Sequence, residues 1–264
     1  MKFPITKKSF ERFWLYDWVA VILTVILVFT GMSFLYEMTY PKLTDEEELS
    51  IVIATYLSTS DNLEDMCQEA MTVIEESGHK GELKNVSYTF IYINKNDSST
   101  STLRTAQIAN KIIEKADIFI LADIPTDEDI TSVNSYSDGY QYWAKNSFET
   151  IDELMIWGDA NAVDVTQSLR QSFSANEGLL KQFPIYQATG DNKHDIVEPS
   201  AGRAIDLDKL NRGEIRKCFS NLFDTSIPNS YNNAPLSLLM GHCKYTPNKA
   251  QVLVFYDWFV QKYA

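Results

Sequence analysis

The chain has 264 residues, 45% hydrophobic and 22% charged, with only 10 Gly and 8 Pro. That composition excludes a disordered tail, a fibre and a simple repeat, and it supports a globular core. The formal charge of −13, from 36 acidic and 23 basic residues, excludes nucleic acid as the main partner, because phosphate binding needs a basic face.

Trp18 to Tyr36 is an unbroken uncharged run that as a helix covers about 28 Å, the thickness of a bilayer core. Trp14, Tyr16 and Trp18 precede it and Phe34, Tyr36 and Tyr40 close it, as interfacial aromatic belts do. Lys2, Lys7, Lys8 and Arg12 lie before the run and Asp45-Glu46-Glu47-Glu48 after it, so the positive-inside rule puts the N-terminus in the cytoplasm and the rest outside. Residues 41–264 carry 19 bases and 33 acids, so the whole of the negative excess falls there. Asp17 borders the run at a depth where it reaches interfacial water. The competing reading is a cleaved signal peptide; against it, the run exceeds a usual h-region and neither an A-x-A-like site nor a cysteine follows. The expected layout is a basic cytoplasmic N-terminus (1–13), a transmembrane helix with its flanks (14–40) and an extracytoplasmic domain (41–264), with the lipid bilayer as first partner.

Beyond the acidic juncture, Leu49–Tyr56 is a β-branched apolar run that reads as a buried strand. A helix follows, with Asp61 and Glu64 as a capping box, Leu63, Met66, Cys67, Ala70, Val73 and Ile74 at helical spacing, and Gly78 to close it. Val86–Ile93 is a second strand, Asn94–Thr102 a polar loop, Leu103–Lys115 a second helix and Ile118–Ala122 a third strand. This β-α-β-α-β order predicts a parallel sheet with right-handed crossovers and helices on both faces. From Pro125 the pattern is weaker: a helix near Ser147–Trp157, and short strands at Phe183–Tyr186, Arg203–Leu207 and Leu236–Met240. Thr246-Pro247 reads as a cap and first-turn proline opening a final helix.

No phosphate-cradling glycine loop, G-x-S-x-G or H-E-x-x-H motif is present, so neither an enzyme, a metal nor a cofactor is expected. Gly190–Asp195 lacks the spacing of a calcium loop and reads as a polar turn, and Asp206–Leu210 places Leu210 where an oxygen ligand is required. Asn85-Val86-Ser87 and Asn96-Asp97-Ser98 match glycosylation sequons. Cys67, Cys218 and Cys243 permit at most one bridge; Cys218 with Cys243 is the better pair, and free buried thiols are the alternative.

Thr102–Ala109 followed by Ala116–Asp123, and Pro235–Met240 followed by Asn248–Phe259, resemble the helix, third strand and returning late elements of extracellular solute-binding proteins of the type II periplasmic-binding fold. The resemblance spans 49–123 and the final thirty residues. It implies a periplasmic-binding-like parallel or mixed sheet, a second lobe reduced to about 110 residues, and a membrane anchor where the family carries a lipid-modified cysteine. It also implies a small solute held between lobes beside a transporter. The alternative is an accessory module of a membrane complex that has lost its ligand.

In such a fold the ligand meets the loops that follow the strands. This singles out Ser58 and Asp61 after the first strand and Asp123 after the third. Tyr136, Tyr140, Tyr142, Trp143 and, beyond them, Trp157 are candidates for stacking on a sugar or clamping a peptide or polyamine, and the acidic excess is suited to a cationic ligand.

Overall fold

The computed structural model describes residues 11, 18–39, 43–55, 58–59, 62–92, 101–122, 140–189, 193–210, 215, 218–220 and 238–264. Two compact units result, Met1–Leu43 and Thr44–Ala264. The first holds helix α1 (Trp18–Thr39), 22 residues with one charge, Glu37. Its apolar side chains face outward, Leu27 and Phe29 being 73% and 68% exposed. Among the described residues no helix is long and apolar enough to cross a membrane.

The second unit is a mixed α/β fold. In chain order it contains β1 (Glu48–Thr55), β2 (Ser58–Thr59), α2 (Asn62–Glu76), β3 (Asn85–Tyr92), α3 (Ser101–Ile113), β4 (Ile118–Ala122), α4 (Tyr140–Ser147), β5 (Phe148–Glu149), α5 (Ile151–Ala160), α6 (Val165–Ala175), β6 (Leu180–Thr189), β7 (Lys193–Asp206), β8 (Phe219–Ser220), β9 (Leu238–Cys243) and α7 (Lys249–Tyr263). The main sheet runs β3-β1-β4-β9-β7-β6, with β5 also paired to β9, and β2 pairs β8 in a separate ladder. β1 is parallel to β3 and β4, as the β-α-β-α-β order requires. From β4 onward every pairing is antiparallel: β9 with β4, β7 with β9, β6 with β7.

Strand alternation sends side chains to two faces. Ile51, Ile53, Ile118, Ile120, Leu238 and Met240 join α2, α5 and α7 in one core. Val52, Ala54, Phe119, Leu121 and Leu239 join α3 and α4 in the other. A sheet covered on both sides needs strands apolar on both sides, and all five residues of β4 are buried. The uninterrupted apolar runs of the sequence are the mark of this arrangement.

Local chemistry sets the ends. Gly78, after α2, has φ +76°, where a side chain is disfavoured. Thr150 and Glu153 form a reciprocal capping box on α5. Asp61, expected to cap α2, lies outside the described residues. The final helix starts later than expected: α7 begins at Lys249, and the Thr246 hydroxyl accepts the Asn248 N–H at 3.0 Å instead of capping the helix itself. β6 and β7 are longer than the fragments read from sequence. Pro184 interrupts the ladder between Phe183 and Ile185 at a bulge, where a missing N–H is tolerated. Asp206 accepts from Asp208 N–H at the head of a 3-10 turn, so this acidic pair shapes the chain as the rejected calcium loop leaves room for. Residues 190–192 of the polar turn lie outside the described residues.

The three cysteines are free thiols, all buried. The expected Cys218 to Cys243 bridge is therefore not formed, and the sheet explains why: Cys218 packs in the α2/α7 core and Cys243 in the α3/α4 core on the opposite face.

Candidate functional site

Chain direction decides where a ligand can approach. β1 and β4 lie side by side and parallel, with Ala54 opposite Leu121. The helix that follows β1, α2, packs on one face, and the helix that follows β4, α4, packs on the other. Neighbouring parallel strands whose outgoing connections part in this way open a crevice beyond their carboxyl ends. The two strands end here at Thr55, fully buried, and Ala122. The candidate loops after the first and third strands leave from these two positions.

Of the residues singled out above, Ser58 lies in β2, paired with Ser220 of β8. Asp61, Asp123 and Tyr136 lie outside the described residues, as does the side chain of Tyr142. Tyr140, 1% exposed, is a core residue: its ring lies 4.9 Å from that of Phe148, and its hydroxyl occupies the space where a β-carbon at Gly241 would sit. Burial pushes its phenol up, beyond the range in which tyrosines ordinarily ionise. Trp143 is half-buried against the same core. Trp157 belongs elsewhere, packed against the opposite core with the Lys249 ammonium 5.9 Å from its ring centre. The sheet thus separates aromatics that are close in sequence, and Trp157 does not join Tyr140 and Trp143 in one binding surface.

The opposite, amino edge holds the densest set of buried polar groups, which the sequence reading did not single out. Asp117, 1% exposed, immediately precedes β4. Its carboxylate accepts the Ser50 N–H at 2.7 Å, the Asn248 side-chain N–H at 3.1 Å and the Thr246 hydroxyl. The Asn248 amide also reaches the carbonyls of Asp45 at 2.7 Å and Glu48 at 3.1 Å. A carboxylate from one strand thereby completes the start of a helix distant in sequence, where exposed backbone N–H groups favour negative charge. Burial is the larger influence on its acidity: it pushes the carboxyl up to about 6, against the lowering effect of its three donors.

Beside it, β5 sets Glu149 opposite His242 of β9. Glu149 binds Lys249 at 2.5 Å and lies 3.5 Å from His242 Nε2, a length at which a hydrogen bond is weak. The other ring nitrogen is 3.4 Å from the Tyr256 hydroxyl. Burial is the largest influence on the His242 ring and holds its pKa below the ordinary histidine value, against the raising effect of Glu149. Burial pushes the Glu149 carboxyl up, and the His242 ring and Lys249 ammonium more than offset it, leaving it below its usual value. This Glu-His-Tyr alignment is internal to the fold, with His242 and Tyr256 both fully buried. Its effect is to fasten α7 to the sheet. Among the described residues no group of His, Cys, Asp and Glu side chains is placed to hold a metal ion.

A sequence signal for Asp117 exists in hindsight. A charged residue flush against a wholly apolar strand must find donors, and Thr246 and Asn248 are the polar residues that flank a proline before an apolar helix. No family model, no curated protein and no solved structure matches the chain, so its resemblance to solute-binding proteins rests on the residues quoted for it.

Proposed function

We propose that the chain is a single-pass membrane protein, N-terminus in the cytoplasm, whose extracytoplasmic α/β domain binds a small solute beside a transport system without transforming it. The observation that carries this reading is the parting of the connections that leave β1 and β4, because a ligand of such a sheet is expected beyond the carboxyl ends of the two strands, where the sequence leads on to Ser58, Asp61 and Asp123. The membrane part is supported by the 22-residue helix with outward apolar side chains and by the charges flanking it.

A thermal-shift screen of the detergent-solubilised chain with sugars, peptides, polyamines and metal ions tests the binding reading. A ligand at 100 times its Kd adds about 2.7 kcal/mol to the native state, a readily measured rise in Tm. The expected result is a rise with one compound class that Asp61→Asn and Asp123→Asn each reduce while leaving the unliganded Tm unchanged. No rise with any class refutes it. Protection of the domain from added protease in sealed right-side-out vesicles refutes the orientation, and a mature N-terminus beyond Tyr36 refutes the anchor.

One observation favours the accessory reading instead. Thr44–Ala264 is a single compact unit, with no second lobe among the described residues, so closure of two lobes around a solute has no counterpart in what is described. Co-purification of a stable membrane complex, with no thermal response to any ligand, is the result that selects it.

A further inference from the structure

With Cys243 removed to the other face, the two remaining thiols occupy one core, Cys67 at 3% and Cys218 at 5% exposure. We propose that Cys67 and Cys218 are a redox pair that closes into a disulfide when the chain folds under oxidising conditions, stapling α2 to the segment that ends in β8.

Two independent features bring them together. The β2–β8 ladder pairs Ser58 with Ser220 and Thr59 with Phe219. Cys218 therefore stands next along the ladder on the side from which α2 departs at Asn62. From there to Cys67 the helix rises only about 7.5 Å, and Cys67 is on its buried side. The end of α7 gives the second fix. Lys262 binds Glu69, two residues beyond Cys67, and the neighbouring Tyr263 hydroxyl lies 3.9 Å from the Cys218 sulfur. Consecutive residues of one helix thus reach Cys218 and the turn of α2 that carries Cys67. Mutual influence agrees with this placement: the Cys67 thiol is pushed up to about 12, first by burial, with the charges of Glu64 and Cys218 adding to it.

The reaction is thiol–disulfide exchange with a small-molecule disulfide. One cysteine thiolate attacks oxidised glutathione, forming a mixed disulfide and releasing one reduced glutathione; the second cysteine thiolate then displaces the other. Two protein S–H bonds are lost and one S–S bond is made, while the glutathione S–S bond is broken and two S–H bonds form, so two electrons pass from protein to glutathione. The buried, high-pKa Cys67 thiol reacts slowly once folded. The bridge therefore belongs to the folding step, before the core closes.

The experiment uses the full chain, unfolded and reduced, then refolded in detergent across a series of reduced to oxidised glutathione ratios. Acid quenching, alkylation and peptide mapping without reductant follow. The expected product, at ratios typical of oxidising compartments, is one cross-linked pair joining the Cys67 and Cys218 peptides, with Cys243 alkylated, and Cys243→Ser gives the same map. A bridge that includes Cys243, or three alkylated cysteines at the most oxidising ratio, overturns the proposal. Because the map is read on the unsubstituted chain, it does not depend on whether a cysteine variant folds.

Discussion

Gly241→Ala is the most informative single methyl group that can be added to this fold. Gly241 lies in β9, opposite Phe119 of β4, and a β-carbon there would stand 1.8 Å from the Tyr140 hydroxyl oxygen, 2.7 Å from Cζ and 2.9 Å from Cε2. Ordinary contact requires about 3.5 Å, so the ring must retreat by well over an ångström. It has little room, because Tyr140 packs on Phe148 and Phe148 on Phe119, with ring centres 4.9 and 5.0 Å apart. Overpacking of this kind costs about 1–3 kcal/mol and more where backbone must move. The entropy gained by replacing glycine returns under about 1 kcal/mol. A net loss of about 1–3 kcal/mol is expected, measured by urea unfolding of the solubilised chain followed by tryptophan fluorescence. Gly241→Ala combined with Tyr140→Leu, which withdraws the ring, should be less destabilised than the two single losses summed, by more than 1 kcal/mol. A variant within about 0.5 kcal/mol of the parent, or strict additivity in the double variant, would refute the packing of α4 on β9.

The amino edge yields three more expectations. Asp117 has a folded pKa raised from 3.8 to about 6, so the native state binds the proton more tightly and gains stability as pH falls through 6. Between pH 7.5 and 4.5 the gain is about 2 kcal/mol. Asp117→Asn turns an amide N–H toward the Ser50 N–H, lowering stability throughout, and it removes this titration; the gap to the parent should widen on acidification, and a constant or narrowing gap would contradict the assignment. Asn248→Ala strands the Asp45 and Glu48 carbonyls and should cost about 2–3 kcal/mol, with amide exchange quickening first at the start of α7. Glu149→Gln leaves Lys249 without its partner and should cost about 1–3 kcal/mol; a neutral result in the same unfolding assay would mean that this ion pair adds nothing to the docking of α7.

How far the sequence carried is best seen element by element. β1, α2, β3, α3 and β4 were legible because each has its own local signal: β-branched runs for the strands, apolar residues at helical spacing for α2 and α3. Burial confirms them residue by residue for Leu63, Met66, Cys67, Ala70 and Ile74. The antiparallel half was not legible. The pairing of β9 with β4 joins distant segments, and no local pattern encodes which neighbour a buried strand takes or its direction. The hairpin of β6 and β7 was seen only in pieces, Phe183–Tyr186 and Arg203–Leu207, while the observed ladder runs from Leu180 opposite Ile205 to Thr189 opposite Lys193. The aromatic group was misjudged for a related reason: β5 is two residues long, and passing through it carries the chain from the α4 face to the α5 face. Nearness in sequence therefore gave no guide to nearness in space. Asp117 was overlooked because its donors come from Ser50 and from Thr246 and Asn248, residues that only the folded sheet brings together.

The position of β9 has a consequence for how the protein is made. β4 emerges from the ribosome early, yet its inner edge is paired only by Leu238–Cys243, and both cores are completed only when β9 and α7 arrive. Until Leu238–Cys243 has been synthesised, the nascent domain carries an apolar strand lacking this partner, the kind of surface that recruits other chains. Pairing across so long a stretch of chain is also slow. A chain lacking β9 and α7 would thus yield an aggregating product rather than a shortened domain.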